Sequence, residues 1–277
     1  MSPRLFAATL SPFSPDGRLD LDILKTHIEW LEGNGIHGFA PTGTTGEFLY
    51  LSWNERRAIH TTVLQAAVES HVIPCVWDPD PKQAVLLAQN AADEGAAAVF
   101  LPPPLFHIVE EDAVLQWYEI LVNSCPIPVW AYHHPRTHNP ISESLFHRLL
   151  EVGVEAIKDS SGDPSRVHNL CKHFPNRVWV GGESMLPRLV VLPNVAGHIS
   201  RLANLYPSLA LDVANSGPGT EANRYLEIDR NTRDLGGLPV VKARLGMGSR
   251  LPILPPSEMD LERLPDPQFV GTIVDSD

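Results

Sequence analysis

Short apolar runs alternate with longer segments whose apolar residues recur every three or four positions along most of this chain. The short runs predict β-strands, and the longer segments predict amphipathic helices. The predicted strands cover residues 6–10, 38–40, 72–76, 98–101, 129–132, 154–158, 178–180 and 197–199. The predicted helices cover residues 20–34, 52–70, 82–94, 111–124, 142–150, 185–192 and 205–215, and one more begins near residue 163. The pattern therefore contains eight strand–helix units.

Local signals at the ends of these segments support the division. Ser52 and Glu55 have the spacing of a capping box, and Asp163 precedes a proline in the first turn of its helix. Strands that alternate with helices form parallel βαβ units, and eight units favour a closed barrel over an open sheet. The GxGxxG fingerprint of a dinucleotide-binding sheet does not follow the first strand. The sequence therefore predicts an α/β fold, a (β/α)8 TIM barrel.

The composition changes after the last predicted unit. From residue 216 onwards the chain is rich in glycine and proline, as in Gly217-Pro218-Gly219 and Pro255-Pro256. Such residues interrupt helices and strands. We therefore predict a barrel in residues 1–216 and a short C-terminal helical extension, packed on the barrel, in residues 217–277.

Charge and hydropathy restrict the partners. The chain has 277 residues and a net charge of −12, which disfavours nucleic acid and anionic membranes because both attract basic surfaces. No apolar run reaches the ~18 residues of a membrane helix, and the N-terminus lacks the apolar stretch of a signal peptide. Three scattered cysteines, Cys75, Cys125 and Cys171, indicate buried thiols rather than a disulfide framework or a zinc site. We expect a cytoplasmic protein that acts on a small molecule.

Lys158 is the strongest candidate for chemistry. It ends the sixth predicted strand and precedes the loop of residues 159–163. Active sites of barrels lie at the carboxyl ends of the strands, where a lysine would be desolvated. Desolvation favours the neutral amine that attacks a carbonyl, whereas at a pKa of about 10.4 fewer than about one lysine in 10³ is neutral at pH 7. The alternative is a lysine that extends from the strand end to a neighbouring carboxylate.

The second candidate is the turn after the second predicted strand, which reads Pro41-Thr42-Gly43-Thr44-Thr45-Gly46-Glu47. Its glycines and hydroxyl side chains could offer several hydrogen-bond donors to one small anion, such as a carboxylate. It is not a phosphate-binding Walker loop, because the Lys-Ser/Thr pair is missing. The alternative is a plain turn capped by hydroxyl side chains.

Tyr132 is the third candidate. It ends the fifth predicted strand, which should lie beside the sixth, so its side chain and that of Lys158 could face the same pocket. A phenol beside an amine can transfer protons while a carbinolamine forms and a carbon–carbon bond breaks. The alternative is a tyrosine that packs at the rim of the barrel.

These three motifs together resemble the signatures of the dihydrodipicolinate synthase/N-acetylneuraminate lyase superfamily. The matching segments are Gly43-Thr44-Thr45-Gly46-Glu47, Tyr132, and Ile157-Lys158-Asp159-Ser160-Ser161-Gly162-Asp163, with further matches at Ser11-Pro12-Phe13, Asp16-Gly17, Gly197-His198-Ile199-Ser200, Ala203-Asn204 and Val241-Lys242-Ala243. The resemblance covers almost the whole chain, and the ordered set is more specific than any single piece.

The resemblance implies a class I aldolase that forms a covalent imine with Lys158 and needs no metal or other cofactor. It implies that Tyr132 relays protons, that Thr44 and Thr45 hold the keto-acid carboxylate next to Gly43, and that the backbone of Gly182 and Ile199 lines the pocket. It also implies a homotetramer or homodimer that acts on a small 2-keto acid.

Two departures from the family pattern bear on the substrate. Family members often carry a tyrosine pair after the fourth strand, one of which reaches the neighbouring subunit's site, whereas this chain has Leu105-Phe106. The segment after Tyr132 reads His133-His134-Pro135-Arg136, one residue shorter before its arginine than in dihydrodipicolinate synthases. These departures favour an aldolase or dehydratase that acts on a sugar-derived 2-keto acid.

Other functions stay open at this stage. The same residues could serve a dihydrodipicolinate synthase, which condenses pyruvate with aspartate semialdehyde, or a barrel that only binds a keto acid. His133 could replace the missing relay hydroxyl. A metal site at His133 and His134 is disfavoured, because adjacent strand residues point to opposite faces.

Overall fold

A computed structural model describes residues 4–250 and 261–267. Eight parallel strands alternate with helices, which confirms the predicted (β/α)8 barrel. The strands are β1 Arg4–Ala7, β2 Gly38–Phe39, β3 His71–Val72, β4 Val99–Leu101, β5 Val129–His133, β6 Ala156–Asp159, β7 Val178–Gly181 and β8 Gly197–Ser200. Apart from β3 and β4, strands that follow each other in the chain are paired in the sheet, and β1 pairs with β8.

The circle of strands closes between β3 and β4 through hydrogen bonds just beyond the strand ends. The backbone N–H of Phe100 donates to the carbonyl of Pro74 at 3.0 Å, and the N–H of Val76 donates to the carbonyl of Phe100 at 3.0 Å. The N–H of Ala97 donates to the carbonyl of Val72 at 2.9 Å. The carboxyl ends of all eight strands therefore meet at one end of the barrel.

Helices surround the strands. The α-helices are α1 Leu21–Gly33, α2 Trp53–Ala66, α3 Pro81–Asp93, α4 Glu111–Ser124, α5 Glu143–Glu151, α6 Pro164–His173, α7 Pro207–Ser216, α8 Thr220–Asp234 and α9 Leu238–Arg244. Ser52 and Glu55 form the predicted capping box of α2, and Asp163 caps α6. Helices α8 and α9 lie in the predicted extension, and the domain boundary at residue 216 stays a prediction. None of the helices in the described residues is long and apolar enough to cross a membrane.

Some elements differ from the predicted ones. The segment predicted as a helix over 185–192 is a 3-10 helix, Glu183–Val191, because Pro187 in its interior cannot donate the backbone hydrogen bond that an α-helix needs. Strand β1 lies nearer the N-terminus than predicted, and β3 is shorter than predicted.

Two apolar layers hold the barrel together. Outward-facing strand residues and the inner faces of the helices form the larger layer, to which Leu5, Val99 and Ile157 belong. Inward-facing side chains fill the barrel itself, and among them Phe6, Phe100 and Trp179 are large aromatic residues. These rings exclude water from the barrel interior and form an apolar floor beneath the strand ends.

Candidate active site

A cavity of about 940 Å³ opens at the carboxyl ends of the strands. Residues from the loops after most of the strands line it, and these include Ala8, Thr44, Thr45, Tyr132, Lys158, Ser160, Gly182, Ile199 and Arg201. This is the end of the barrel at which barrel enzymes carry their active sites.

Lys158 lies on β6 at the base of this cavity. Its side chain points into the barrel, and only 6% of the residue is exposed. The Nζ atom lies 4.7 Å from the ring centroid of Phe100 and 4.4 Å from that of Tyr132. Burial lowers the pKa of Lys158 to about 8, because an apolar surrounding disfavours the charged amine. A substantial fraction of the amine is therefore neutral near physiological pH.

Tyr132 lies directly opposite Lys158, because β5 and β6 pair with Tyr132 in register with Lys158. Its hydroxyl lies 3.2 Å from the hydroxyl oxygen of Thr44 and also forms a hydrogen bond with Ser160. Burial raises the pKa of Tyr132 to about 12, so the phenol is protonated at neutral pH. The phenol hydroxyl therefore bonds to Thr44, and the amine of Lys158 lies over the face of the same phenol ring.

The loop that carries Thr44 has an unusual backbone. Thr42 and Glu47 both have positive φ angles, 53° and 57°, a region that L-residues other than glycine rarely adopt. The Thr42 hydroxyl oxygen lies 2.7 Å from His60 Nε2 and 2.9 Å from the carbonyl oxygen of Cys75, which fixes the first of these residues. Glycine is required at Gly46, because a Cβ there would lie 2.8 Å from the backbone nitrogen of Thr42.

The other predicted site residues surround the same space. Thr44, Thr45, Gly182 and Ile199 line the cavity together with Tyr132 and Lys158. Gly43 lies beside the amine, since a Cβ on this residue would come within 4.0 Å of Lys158 Nζ and 3.2 Å of the Phe100 ring. The structure thus brings all seven residues together, and their individual roles stay predictions.

The sequence did not indicate which residues anchor the loop of residues 41–47, the threonine loop. Glu47 forms an ion pair with Lys242 of α9, and both side chains are fully buried. Its other carboxylate oxygen accepts hydrogen bonds from the Ser249 hydroxyl at 2.7 Å and the Arg250 backbone N–H at 3.0 Å. The segment around Lys242 was part of the family resemblance, but nothing in the sequence pairs it with Glu47. The C-terminal helices therefore hold the loop that carries Thr44 and Thr45.

A second network that the sequence did not indicate lies at the far side of the cavity. Glu183 accepts hydrogen bonds from Ser200 at 2.8 Å, from the Arg201 backbone N–H at 2.6 Å and from the buried hydroxyl of Tyr225. Arg201 donates to Asp229 of α8 at 2.8 Å. This network joins the loops after β7 and β8 to the C-terminal helices and thereby shapes the cavity wall.

The two adjacent histidines have different surroundings. The buried side chain of His133 points from β5 away from the barrel interior, and its Nδ1 accepts a hydrogen bond from the backbone N–H of Ile141 at 3.1 Å. His134 instead lines the cavity, and so does Arg136. The idea that His133 replaces the missing relay hydroxyl is therefore wrong, because the alternation of the strand turns its ring away from the site. Within residues 4–250 and 261–267, no three His, Cys, Asp or Glu side chains are grouped as metal ligands would be.

Comparison with known proteins decides the family. The family model of the dihydrodipicolinate synthetase family matches residues 1–235. The chain belongs to the dihydrodipicolinate synthetase family. As a member of this family it is an enzyme of the carbon–carbon lyase class, as the sequence predicted.

Known proteins from several organisms match almost the whole length of the chain. A 4-hydroxy-tetrahydrodipicolinate synthase of Methanothrix thermoacetophila is 28% identical and covers 95% of this chain and 94% of its own length. The crystal structure of a dihydrodipicolinate synthase from Acinetobacter baumannii, complexed with pyruvate, is 25% identical, with a TM-score of 0.83 over 95% of this chain and 96% of that chain. A 2-keto-3-deoxygluconate aldolase variant of Sulfolobus solfataricus, 21% identical, has a TM-score of 0.83 over 94% of this chain and 93% of that chain and shows the shared fold alone.

After β4, this chain lacks the tyrosine pair that the family resemblance led us to expect. Leu105 lines the cavity where a hydroxyl side chain was expected, and Phe106 is 82% exposed with a positive φ of 72°. Neither side chain can accept or donate a proton. The Tyr132 hydroxyl instead bonds to the hydroxyls of Thr44 and Ser160.

Proposed function

We propose that this enzyme forms a Schiff base between Lys158 and a 2-keto acid, and uses it to cleave or dehydrate a hydroxylated, sugar-derived 2-keto acid. The observation that carries the proposal is the buried amine of Lys158, which faces the cavity 4.4 Å from the ring of Tyr132. An amine with a lowered pKa beside a phenol is what imine chemistry requires.

The residues suggest a sequence of steps. Thr44 and Thr45 hold the substrate carboxylate, and the neutral amine of Lys158 adds to the adjacent carbonyl to give a carbinolamine. Tyr132 donates its proton to the departing hydroxyl, which leaves as water, and an iminium ion remains. The Tyr132 phenolate then takes the proton from the C4 hydroxyl while the C3–C4 bond breaks and its electron pair moves into the iminium, which becomes an enamine. Protonation at C3 and hydrolysis of the imine release pyruvate.

The iminium is itself the electron acceptor of this reaction. It takes up the pair from the broken bond, so the proposed steps run on the side chains of Lys158 and Tyr132 alone. We therefore propose that the enzyme uses no added cofactor or metal. The free thiols of Cys75, Cys125 and Cys171 suit the reducing conditions of the cytoplasm, where we place the reaction.

The missing relay hydroxyl favours cleavage or dehydration over condensation. Leu105 and Phe106 cannot carry a proton between Tyr132 and solvent, which leaves water, the hydroxyls of Thr44 and Ser160, or a hydroxyl of the substrate as the route. A sugar-derived keto acid has a hydroxyl next to the bond that is cleaved, which makes such a route available. Condensation of pyruvate with a small aldehyde depends more on the complete relay.

Condensation with aspartate semialdehyde is the second candidate. The placement of Arg136 on the cavity wall favours it, because a guanidinium can bind a second carboxylate. The Methanothrix relative, which bears the synthase name, also matches almost the full length.

We also propose that the enzyme is a homotetramer or homodimer. Apolar side chains on the segments that follow β2 and β4 are exposed, with Leu49 62%, Phe106 82% and Ile108 79% accessible. Exposed apolar groups of this kind mark contact surfaces between proteins. Light scattering should give a mass above that of one 30.5 kDa chain, and Phe106→Asp should reduce it. A monomeric wild type would disprove this assembly.

Borohydride trapping tests the covalent step. Reduction in the presence of pyruvate should add the pyruvate-derived mass to Lys158, as located by peptide mass spectrometry. Mass at another lysine, or no added mass, would refute the proposal. Turnover of a panel of hydroxylated 2-keto acids, compared with pyruvate plus aspartate semialdehyde, then separates cleavage and dehydration from condensation. Efficient condensation without cleavage would establish the second candidate instead.

A further inference from the structure

His134 occupies a position that the proposed steps do not use. It follows β5, and the alternation that turns His133 outward turns His134 into the cavity. Its ring packs edge-on against that of Tyr132, with a centroid distance of 5.8 Å. An imidazole therefore stands beside the phenol on the wall of the cavity into which Lys158 points.

The backbone holds this ring in one orientation. Residues 134–137 form a turn in which the Thr137 backbone N–H donates to the His134 carbonyl at 3.0 Å and the Thr137 hydroxyl donates to it at 2.8 Å. The Arg136 backbone N–H donates to His134 Nδ1 at 3.0 Å. Because Nδ1 accepts this hydrogen bond, a neutral His134 ring carries its proton on Nε2.

The ring is uncharged under physiological conditions. Burial lowers the pKa of His134 to about 4, and the charges of Arg136 and Lys158 act in the same direction. His134 thus presents one neutral N–H donor rather than a cation. A neutral donor suits a hydroxyl oxygen, whereas Arg136 on the same wall suits an anion.

We propose that His134 is a specificity-determining residue whose Nε2–H binds a hydroxyl on the part of the substrate beyond the bond that is cleaved. The inference rests on the proposed function, because it assumes a keto acid held at Lys158. It narrows the substrate class to 2-keto acids that carry a further hydroxyl beyond C4, because the C4 hydroxyl already gives its proton to Tyr132. A site that bonds such a hydroxyl rejects the analogue that lacks it, because the donor then stays unpaired.

Two six-carbon probes separate this role from general substrate binding. 2-Keto-3-deoxygluconate carries hydroxyls beyond C3, and 2-ketohexanoate carries none. Half-saturating concentrations for borohydride trapping at Lys158 are measured for both probes, with the summed mass of intact and cleaved adducts as the readout. The wild type should prefer the hydroxylated probe by at least about tenfold.

Three variants test the residue. His134→Leu should lower this preference at least about tenfold and change pyruvate trapping far less, because leucine fills the space beside Tyr132 but has no N–H donor. His134→Gln, which keeps an N–H donor, should retain most of the preference. His138→Leu, at an exposed position on the same loop, is the matched control and should behave as the wild type.

Each other result decides against the assignment. An unchanged preference in His134→Leu, or no preference in the wild type, overturns the role of His134 while the imine proposal stands. Loss of pyruvate trapping in His134→Leu means that the ring supports the whole site and does not select substrates. No pyruvate adduct at Lys158 in the wild type refutes the proposed function itself, and the inference with it.

Discussion

Lys158 and Lys242 are both buried lysines, and burial lowers the pKa of each to about 8. Lys158 faces two aromatic rings and an open cavity, and no carboxylate of the described residues pairs with it. Lys242 lies over the ring of Phe13 and is paired with the carboxylate of Glu47. Both amines thus have a lowered pKa. Of the two, Lys158 is open to the cavity, whereas Lys242 is paired with a carboxylate.

Desolvation alone therefore does not mark a nucleophile. The amine of Lys242 is held by a charge of opposite sign, so it stabilises the loop of Glu47 and is closed to a substrate. The amine of Lys158 has only weakly attracting ring faces around it and can react with a carbonyl. Substitution of Lys158 should therefore reduce turnover, whereas substitution of Lys242 should reduce stability.

The largest expected effect is on turnover in Lys158→Met. This substitution keeps the bulk of the side chain and removes the nucleophile, so turnover should fall by at least about 10⁴-fold, the scale for loss of a covalent nucleophile. Release of pyruvate from a hydroxylated 2-keto acid measures it. Lys172→Met, at an exposed position, is the control and should retain full activity. Undiminished turnover in Lys158→Met would remove the distinction between the two buried lysines.

Tyr132→Phe should lower turnover by about 10²–10⁴, the usual contribution of one positioned acid–base group. The ring and its contact with Lys158 are kept, so the loss reports the hydroxyl alone. Steady-state kinetics with the same substrate measure it. Tyr206→Phe loses a hydroxyl that is bonded to the Pro265 carbonyl instead, and its turnover should stay near that of the wild type. A fully active Tyr132→Phe would contradict the proton relay.

Lys242→Met should act on stability. Glu47 would stay buried without its partner, which typically costs about 3–5 kcal/mol in the free energy of unfolding. Urea denaturation measures the loss, and adding Glu47→Gln should restore part of it because the unpaired charge is then removed. Pyruvate should still be trapped at Lys158 in the folded fraction. A loss below about 1 kcal/mol, the value of an exposed pair, would show that the ion pair is not structural.

Thr44→Val keeps the shape of the side chain and removes one hydroxyl. The substrate carboxylate and Tyr132 would each lose a hydrogen-bond partner, which should weaken keto-acid binding by about 1–3 kcal/mol. The half-saturating concentration of pyruvate in the trapping reaction measures this. Thr26→Val, on the exposed side of α1, serves as the control. Equal affinities in wild type and Thr44→Val would exclude the predicted carboxylate contact.

The smallest effect concerns pH. Only the neutral amine reacts, and its fraction rises with pH through the pKa of Lys158, about 8. The rate of imine formation with pyruvate should therefore increase about tenfold from pH 7 to pH 9 and then level off. Stopped-flow rates at subsaturating pyruvate measure the profile. A profile that still rises steeply at pH 10 would mean that the amine is not desolvated.

The sequence predicted the fold and the principal residues because both depend on local patterns. Strand ends are visible as apolar runs, and barrel topology places all strand ends together, so Lys158, Tyr132 and Thr44 could be assigned to one site. The pair of Glu47 and Lys242 could not be found in this way, because it depends on how α9 packs against the barrel. Choosing between His133 and His134 needed the exact end of β5, since a shift of one residue reverses the direction of a side chain.

The ion pair of Glu47 and Lys242 also bears on the order in which the protein folds during synthesis. It joins positions that are 195 residues apart, and contacts of such long sequence separation form late in folding. During synthesis, the threonine loop emerges long before the helix that neutralises its buried carboxylate. We therefore expect a nascent chain that ends before α9 to contain Lys158 and most of the barrel. Its threonine loop, which is predicted to bind the carboxylate, should not yet be held in one conformation. Synthesis of α9 would then complete the substrate site.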